Sequence, residues 1–228
     1  MGDHTYRSRK TGRVLPSVTT IIGDMSGESY SWWYASLRAK GIDPDWELDR
    51  LGKIGTICHY RVLSKLSPTP IEAPEFPVDE YPENSAMYAD LFETMWRDLN
   101  IEVRRAVCEK KMVNEKVGFC GTFDCKGLVS GTIRDKKHGR DITFKNNKCL
   151  IDLKTSQEVR EKHFIQLGGY SLFFDPVPEY GLVVCLCPYL EKNEYLLPKV
   201  YVLTQKELIN YQRKFVKMAK DWWKQELA

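Results

Sequence analysis

At 228 residues the chain is long enough for one domain with a sizeable core, and a small helical extension fits within that length. Its 43% hydrophobic and 12% aromatic content excludes general disorder, and its net charge of +3 neither requires nor excludes nucleic acid, which depends on a local basic face. No apolar run is long enough to span a bilayer, Met1-Gly2-Asp3-His4-Thr5-Tyr6 does not read as a signal peptide, and the seven cysteines are scattered without a CxxC pair. These features predict reduced thiols in a cytoplasmic setting, with no membrane partner and no structural zinc.

In chain order, residues 1–16 are polar and basic and are expected to form an arm or hairpin around Thr11-Gly12. Ser17 can cap a helix over the apolar run that follows, although Val18, Thr19, Thr20, Ile21 and Ile22 make a strand equally defensible. Ser29 or Ser31 is expected to cap a helix that carries Trp32, Trp33 and Tyr34 and stops at Gly41. The simplest role for the two tryptophans is core packing, with base stacking as the alternative. Asp43-Pro44-Asp45 opens a helix over about 46–66, in which Gly52 and Gly55 suggest close approach by another backbone or a ligand. His59 falls four residues after Gly55, on the same face. Residues 67–82, with five prolines, read as a loop. A helix over about 83–99 places Met87, Leu91, Met95 and Leu99 on a core stripe.

From Ile101 the period becomes strand-like. Strands are expected at 101–113, 117–129, 142–155, 180–188 and 195–203, with a polar, basic turn region at 130–141. Helices follow at about 157–174 and from Thr204 almost to the end, where Thr204 and Glu207 form a capping box. This order predicts an α/β core with an N-terminal helical lobe in front, as one domain with a helical portion (1–100) and an α/β core (101–228).

The stretch from Cys120 to Tyr170 concentrates the chemistry. Asp152 and Lys154 lie two apart on a strand and project to one side, with Leu153 turned inward. Asp124 lies on the preceding strand, and Gln166 and Tyr170 share a face of the following helix. Each element is weak alone. Taken together, acids and a lysine at a strand end suit a hard cation and a phosphate.

These motifs resemble the PD-(D/E)XK nuclease superfamily, in its RecB-type, phage exonuclease-like branch. Gly121-Thr122-Phe123-Asp124 is similar to the first acidic motif, and Ile151-Asp152-Leu153-Lys154-Thr155 to the D-x-K-T strand. Gln166-x-x-x-Tyr170 is similar to the branch's helix motif, and Gly55-x-x-x-His59 to its upstream histidine motif. Arg13-x-Leu15-Pro16-Ser17-Val18-Thr19-Thr20-Ile21 looks like the opening of phage-type members, so the resemblance spans about residues 10–190. The segment between Asp124 and Asp152 is longer than the family's short hairpin, which suggests an insertion over about 130–147. Cys185-Leu186-Cys187 does not supply the cysteine set of the iron–sulphur members, so no cluster is expected.

The resemblance implies an α/β, restriction-endonuclease-like core with a central mixed sheet flanked by helices, and a Mg²⁺- or Mn²⁺-dependent DNA exonuclease acting in recombination, replication or end processing. Asp124, Asp152, the Leu153 carbonyl and His59 would hold one or two ions, with Glu109 a secondary candidate. Lys154 would serve the attacking water or the phosphate. Gln166 would position water or Lys154, and Tyr170 would contact the DNA backbone or pack on the site. Arg134, Lys136, Lys137 and Arg140 are expected to reach phosphates, because their turn connects the two strands bearing Asp124 and Asp152. The expected partner is linear DNA, single- or double-stranded. Family context adds a single-strand annealing protein, an oligomeric assembly and, for a viral chain, the host cytoplasm. The alternatives are a structure-dependent or site-specific endonuclease on the same fold and a non-catalytic DNA-binding module.

Overall fold

The Leu15–Ile22 run, balanced between helix and strand by composition, is decided by its cap. In the computed structural model, Ser17 is extended (φ −76°, ψ 162°) and its side chain accepts a hydrogen bond from the Thr20 N–H. Helix α1 therefore runs Val18–Ser26 and buries Val18, Ile21 and Ile22. The structure describes residues 6–27, 31–76, 82–156, 158–186 and 198–227. Ser29, Gln157, Cys187, Pro188 and the Tyr195 start of the last expected strand lie outside these residues.

Strands β1 (Tyr6–Arg7) and β2 (Val14–Leu15) form the expected N-terminal hairpin, with Gly12 at φ 68° in its turn. Helix α2 (Ser31–Ala39) buries no residue, and Trp32 is 79% exposed, against the core role its composition suggested. In helix α3 (Pro44–Leu66) Asp43 accepts from the Asp45 N–H and Pro44 occupies the first turn, where its missing donor costs nothing. Helix α4 spans Pro82–Asp98. Its buried face is Ala89, Phe92, Met95 and Trp96, while Met87 and Leu99 are exposed. The expected stripe holds at Met95 but is rotated elsewhere: the stacked rings of Phe92 and Trp96, 4.4 Å apart, offer more area to bury than Met87 and Leu99.

The remaining elements are β3 (Glu102–Asn114), β4 (Phe119–Asp135), β5 (Arg140–Lys154), α5 (Glu161–Ser171), β6 (Tyr180–Cys185), β7 (Lys199–Thr204) and α6 (Gln205–Glu226). They build an α/β fold with a five-stranded mixed sheet in the order β3-β4-β5-β6-β7. The β3–β4, β4–β5 and β6–β7 pairs are antiparallel, and β5–β6 is parallel with α5 as its crossover. Thr204 and Glu207 cap α6 reciprocally, as the capping box predicted. Helix α5 starts later than expected, because Arg160 is still extended (φ −111°, ψ 166°).

The polar 130–141 segment is not a turn region. β4 and β5 pair out to Asp135↔Arg140, so only 136–139 turns. Polar side chains there occupy the outer face, where Thr132 and Thr143 hydroxyls pair at 3.0 Å, while Ile133 and Phe144 enter the core. A register shift between Val129 and Gly131 bends this long hairpin until Asp135 pairs with Val200 of β7.

The sheet separates two cores. α3 and α4 cover one, which contains Ile54, Val62, Phe92, Ile151, Leu153 and Val184. α1, α5 and α6 cover the other, which contains Ile21, Phe123, Leu150, Leu167, Val183 and Phe215. The N-terminal helices are therefore divided between both faces rather than set apart as a lobe. Among the described residues, no helix is long and apolar enough to cross a membrane.

Two glycines give opposite expectations. A Cβ on Gly168 would lie 2.6 Å from the Tyr211 carbonyl carbon and 2.8 Å from the Gln212 nitrogen, both backbone atoms of α6. Gly168→Ala is expected to cost about 1–3 kcal/mol of unfolding free energy. A Cβ on Gly52, in the exposed middle of α3, meets no described residue within 4 Å. Gly52→Ala is expected to gain about 0.5–1 kcal/mol. Urea denaturation of the two variants checks both signs.

Candidate metal centre

Three acids occupy one line across three neighbouring strands. The β4–β5 ladder runs to Cys125↔Ile151, and continuing that register sets Asp124 opposite Asp152. On the other side, the pairs Cys108↔Cys125 and Lys110↔Phe123 leave Glu109 opposite Asp124. Side-chain alternation breaks along this line. Phe123 packs in the α1/α5/α6 core and Cys125 in the α3/α4 core, although residues two apart on a strand share a face. β3 makes the same change between Cys108 and Met112, and Glu109 between them is left-handed at φ 49°. A non-glycine residue held there costs on the order of 1–3 kcal/mol, and such strain clusters at functional sites. The break lets Asp124 turn into the gap between β4 and β5, where its Oδ2 accepts the Leu153 N–H at 2.7 Å.

α3 brings the histidine. Ile54, Cys58, Val62 and Leu63 anchor the helix on the sheet. A Cβ on Gly55 would sit 3.1 Å from Thr155 Oγ1, so its absence lets α3 lie against the end of β5. This is the close approach the glycine suggested; Gly52 has no such neighbour. One helical turn on, His59 Nδ1 lies 3.6 Å from Asp124 Oδ2. Among the described residues, potential ligand atoms of His59, Glu109 and Asp124 all fall within 4.8 Å of one another.

Asp152 is fully buried and stands beside this cluster rather than in it. Its Oδ2 is 2.7 Å from Lys154 Nζ, which confirms that Asp152 and Lys154 project together. Apart from that ion pair, neither carboxylate oxygen has a hydrogen-bond partner among the described residues. Gln166 and Tyr170 line the α5 side. Gln166 Nε2 donates to the Tyr170 hydroxyl at 3.1 Å, so the amide holds the tyrosine rather than Lys154. Tyr170 is buried and packs on the site, in space left by Gly121, where a Cβ would come within 2.9 Å of its ring.

Dehydration dominates the electrostatics. Burial pushes the Asp152 carboxyl up to about 6 against the opposing pull of Lys154, with Asp124 adding to the rise. Asp124 is also raised by burial, opposed by Lys154 and the Leu153 N–H. Desolvation and Asp124 raise Glu109 to about 7. Burial and the Lys154 ammonium lower His59 to about 4, so its imidazole is neutral at pH 7 and keeps a lone pair. Burial pushes the Tyr170 phenol far above its ordinary range, so it stays protonated.

The donor set fits a divalent cation that takes hard oxygen ligands and tolerates one imidazole nitrogen, as Mg²⁺ and more readily Mn²⁺ do. A buried carboxylate lacking hydrogen bonds and two further acids with raised proton affinity are the groups such a charge would stabilise. The sequence ranked Asp152 first and Glu109 second as ligands. Strand register, invisible in the spacing, sets both Glu109 and Asp152 opposite Asp124; the structure gathers Glu109 with His59 and Asp124, while Asp152 is paired with Lys154 beside them.

The basic turn is not brought to this centre. A hairpin's turn lies at the far end of its strands, and here the tip is docked on β7. Buried Asp135 accepts from the N–H groups of Val202, Lys137 and His138. Lys137 pairs with Glu207, and Arg134 with Asp141 at 3.3 Å. From Leu153 the path runs through Val184 and Val200 to Asp135, three strand spacings or roughly 15 Å. Lys136 and Arg140 flank the same tip.

No protein-family model matches the chain, and no curated protein matches it. Among solved structures, one described as "Crystal structure of SSO0001" is similar at 14% identity, covering 74% of each chain, with a TM-score of 0.28. A likeness at that level carries no argument. The molecule is thus defined by its own geometry: an α/β protein with a five-stranded mixed sheet and a cluster of acids and one histidine able to hold a cation.

The acids tie stability to pH. A carboxyl with a folded-state pKa above its unfolded value contributes stability that is complete below the unfolded value and lost as pH rises through the folded one. For Glu109 that window runs from 4.5 to about 7. Asp152 loses its contribution from 3.8 to about 6, while His59, lowered from 6.5 to about 4, opposes both as pH rises between those values. In EDTA, Glu109→Gln is therefore expected to lose less stability than the wild type between pH 5 and 8, and Mn²⁺ at pH 8 should stabilise the wild type but not Asp124→Asn. Denaturant titrations across pH read both.

Proposed function

We propose that the chain is a Mg²⁺- or Mn²⁺-dependent deoxyribonuclease of PD-(D/E)XK type with a restriction-endonuclease-like core, hydrolysing phosphodiester bonds as an exonuclease. The observation that carries this reading is the fully buried Asp152 carboxylate, whose only partner among the described residues is Lys154, placed beside His59, Glu109 and Asp124. A buried anion so poorly satisfied is costly in a merely structural setting. It is serviceable where a cation and a substrate phosphate complete it.

His59, Glu109, Asp124 and Asp152, with the Leu153 carbonyl, would hold the ion. When bound, that ion supplies Lewis acidity toward a phosphate and a water. The chain's own groups do the rest. The Leu153 N–H fixes one Asp124 oxygen and leaves the other for ligation. Asp152 holds the Lys154 ammonium in place, so the lysine presents its remaining donors to a phosphate oxygen or to the attacking water. Tyr170, held by Gln166, closes the α5 side and limits water there. Exonuclease action, and a place in recombination, replication or end processing, rest on the family resemblance.

Activity on end-labelled linear duplex, single-stranded and covalently closed circular DNA, with Mg²⁺, Mn²⁺ or EDTA, tests the proposal. The linear substrates should be degraded only with metal, and the circle should be spared. Lys154→Ala and Asp152→Asn should each lower the rate by at least about 100-fold. Undiminished cleavage by Asp152→Asn would remove the proposed site. Nicking of the circle would move the assignment to an endonuclease.

A further inference from the structure

The cation cluster has a second pair of groups immediately beside it. Cys108 on β3 and Cys125 on β4 are direct cross-strand partners in the ladder register. Each is the chain neighbour of a cluster acid: Cys108 precedes Glu109 and Cys125 follows Asp124. Both side chains face the α3/α4 core. Facing residues on antiparallel strands have Cα atoms about 4.5 or about 5.5 Å apart. A disulfide accepts about 4.4–6.8 Å, so the backbone spacing suits a bond. Exposure separates the two. Cys108 is part-exposed, whereas Cys125 and the other described cysteines (Cys58, Cys120, Cys149 and Cys185) are buried.

We propose that Cys108 and Cys125 are a reversible thiol–disulfide pair, a covalent clasp between β3 and β4 one residue from both Glu109 and Asp124. The oxidant is a small-molecule disulfide such as oxidised glutathione. The Cys108 sulfur attacks one glutathione sulfur, the glutathione S–S bond breaks, and the departing thiol takes the proton that Cys108 gives up. The Cys125 sulfur then attacks the Cys108 sulfur, and the second glutathione leaves with the Cys125 proton. Two electrons pass from the cysteine pair to the glutathione disulfide, which becomes two thiols. Part-exposed Cys108 receives the first attack partner, and buried Cys125 resolves the adduct from within the fold. The clasp spans the point where both strands change faces, so redox state and the geometry of the two acids are mechanically linked.

The test is incubation of the folded, full-length protein with oxidised glutathione, followed by intact mass and peptide mapping without reduction. The wild type is expected to lose two hydrogens and yield one linked peptide pair, Cys108–Cys125, that dithiothreitol returns to thiols. Cys125→Ser is expected to stop at a glutathione adduct on Cys108, and Cys108→Ser to form neither link nor adduct at Cys125. A wild-type adduct on Cys108 that never closes would overturn the proposal. So would links that involve other cysteines, or a Cys108 that stays unmodified. None of these readouts depends on metal or on DNA cleavage, so the nuclease reading can fail without it.

Discussion

Crowding of Glu109, Asp124 and Asp152 on neighbouring strands, with the Lys154 ammonium acting on the two buried aspartates, is the constraint on which the rest of the structure turns. Like charges so placed repel, and burial adds a desolvation cost to each. The protein meets that cost in part through chosen donors. The Leu153 N–H is taken from the sheet ladder and given to Asp124, and Lys154 is given to Asp152. What is left over appears as raised proton affinity in all three acids. A site with this residual deficit is primed for positive charge, which links packing directly to cation binding.

The two cores hold the arrangement in place from opposite sides. The α3/α4 core fixes Leu153 and Cys125 and, through α3, the position of His59. The α1/α5/α6 core fixes Leu150, Phe123 and Tyr170. Strands β3 and β4 pass from one core to the other at Glu109 and Asp124, so these acids sit at a seam where neither apolar layer claims them. Small residues complete the fit: Gly55 admits Thr155 beside α3, and Gly121 admits the Tyr170 ring. A wider side chain at either would push a site element outward.

The long β4–β5 hairpin shows how a segment that reads as an insertion can be integral. Its bend carries the tip back to β7, where Asp135 replaces ladder partners for Val202 and two turn N–H groups. Ile133, Ile142 and Phe144 extend the α3/α4 core along it. Its basic residues then serve the fold, through Glu207 and Asp141, as much as any surface role.

Local chemistry made much of this legible in the sequence. Ser17, Asp43 and Thr204 marked helix starts because capping is a contact between near neighbours. Asp152 and Lys154 were placed together because strand alternation is local. The α/β order of helices and strands followed from the periods of successive segments. Register, strand bending and the choice between rival apolar faces were not legible. Those depend on which distant surfaces meet, and so only the tertiary structure decided that Glu109 faces Asp124, that Phe92 and Trp96 rather than Met87 and Leu99 enter the core, and that the basic turn docks on β7. Periodicity in one dimension orients a side chain relative to its own element. Long-range packing alone fixes which element stands opposite.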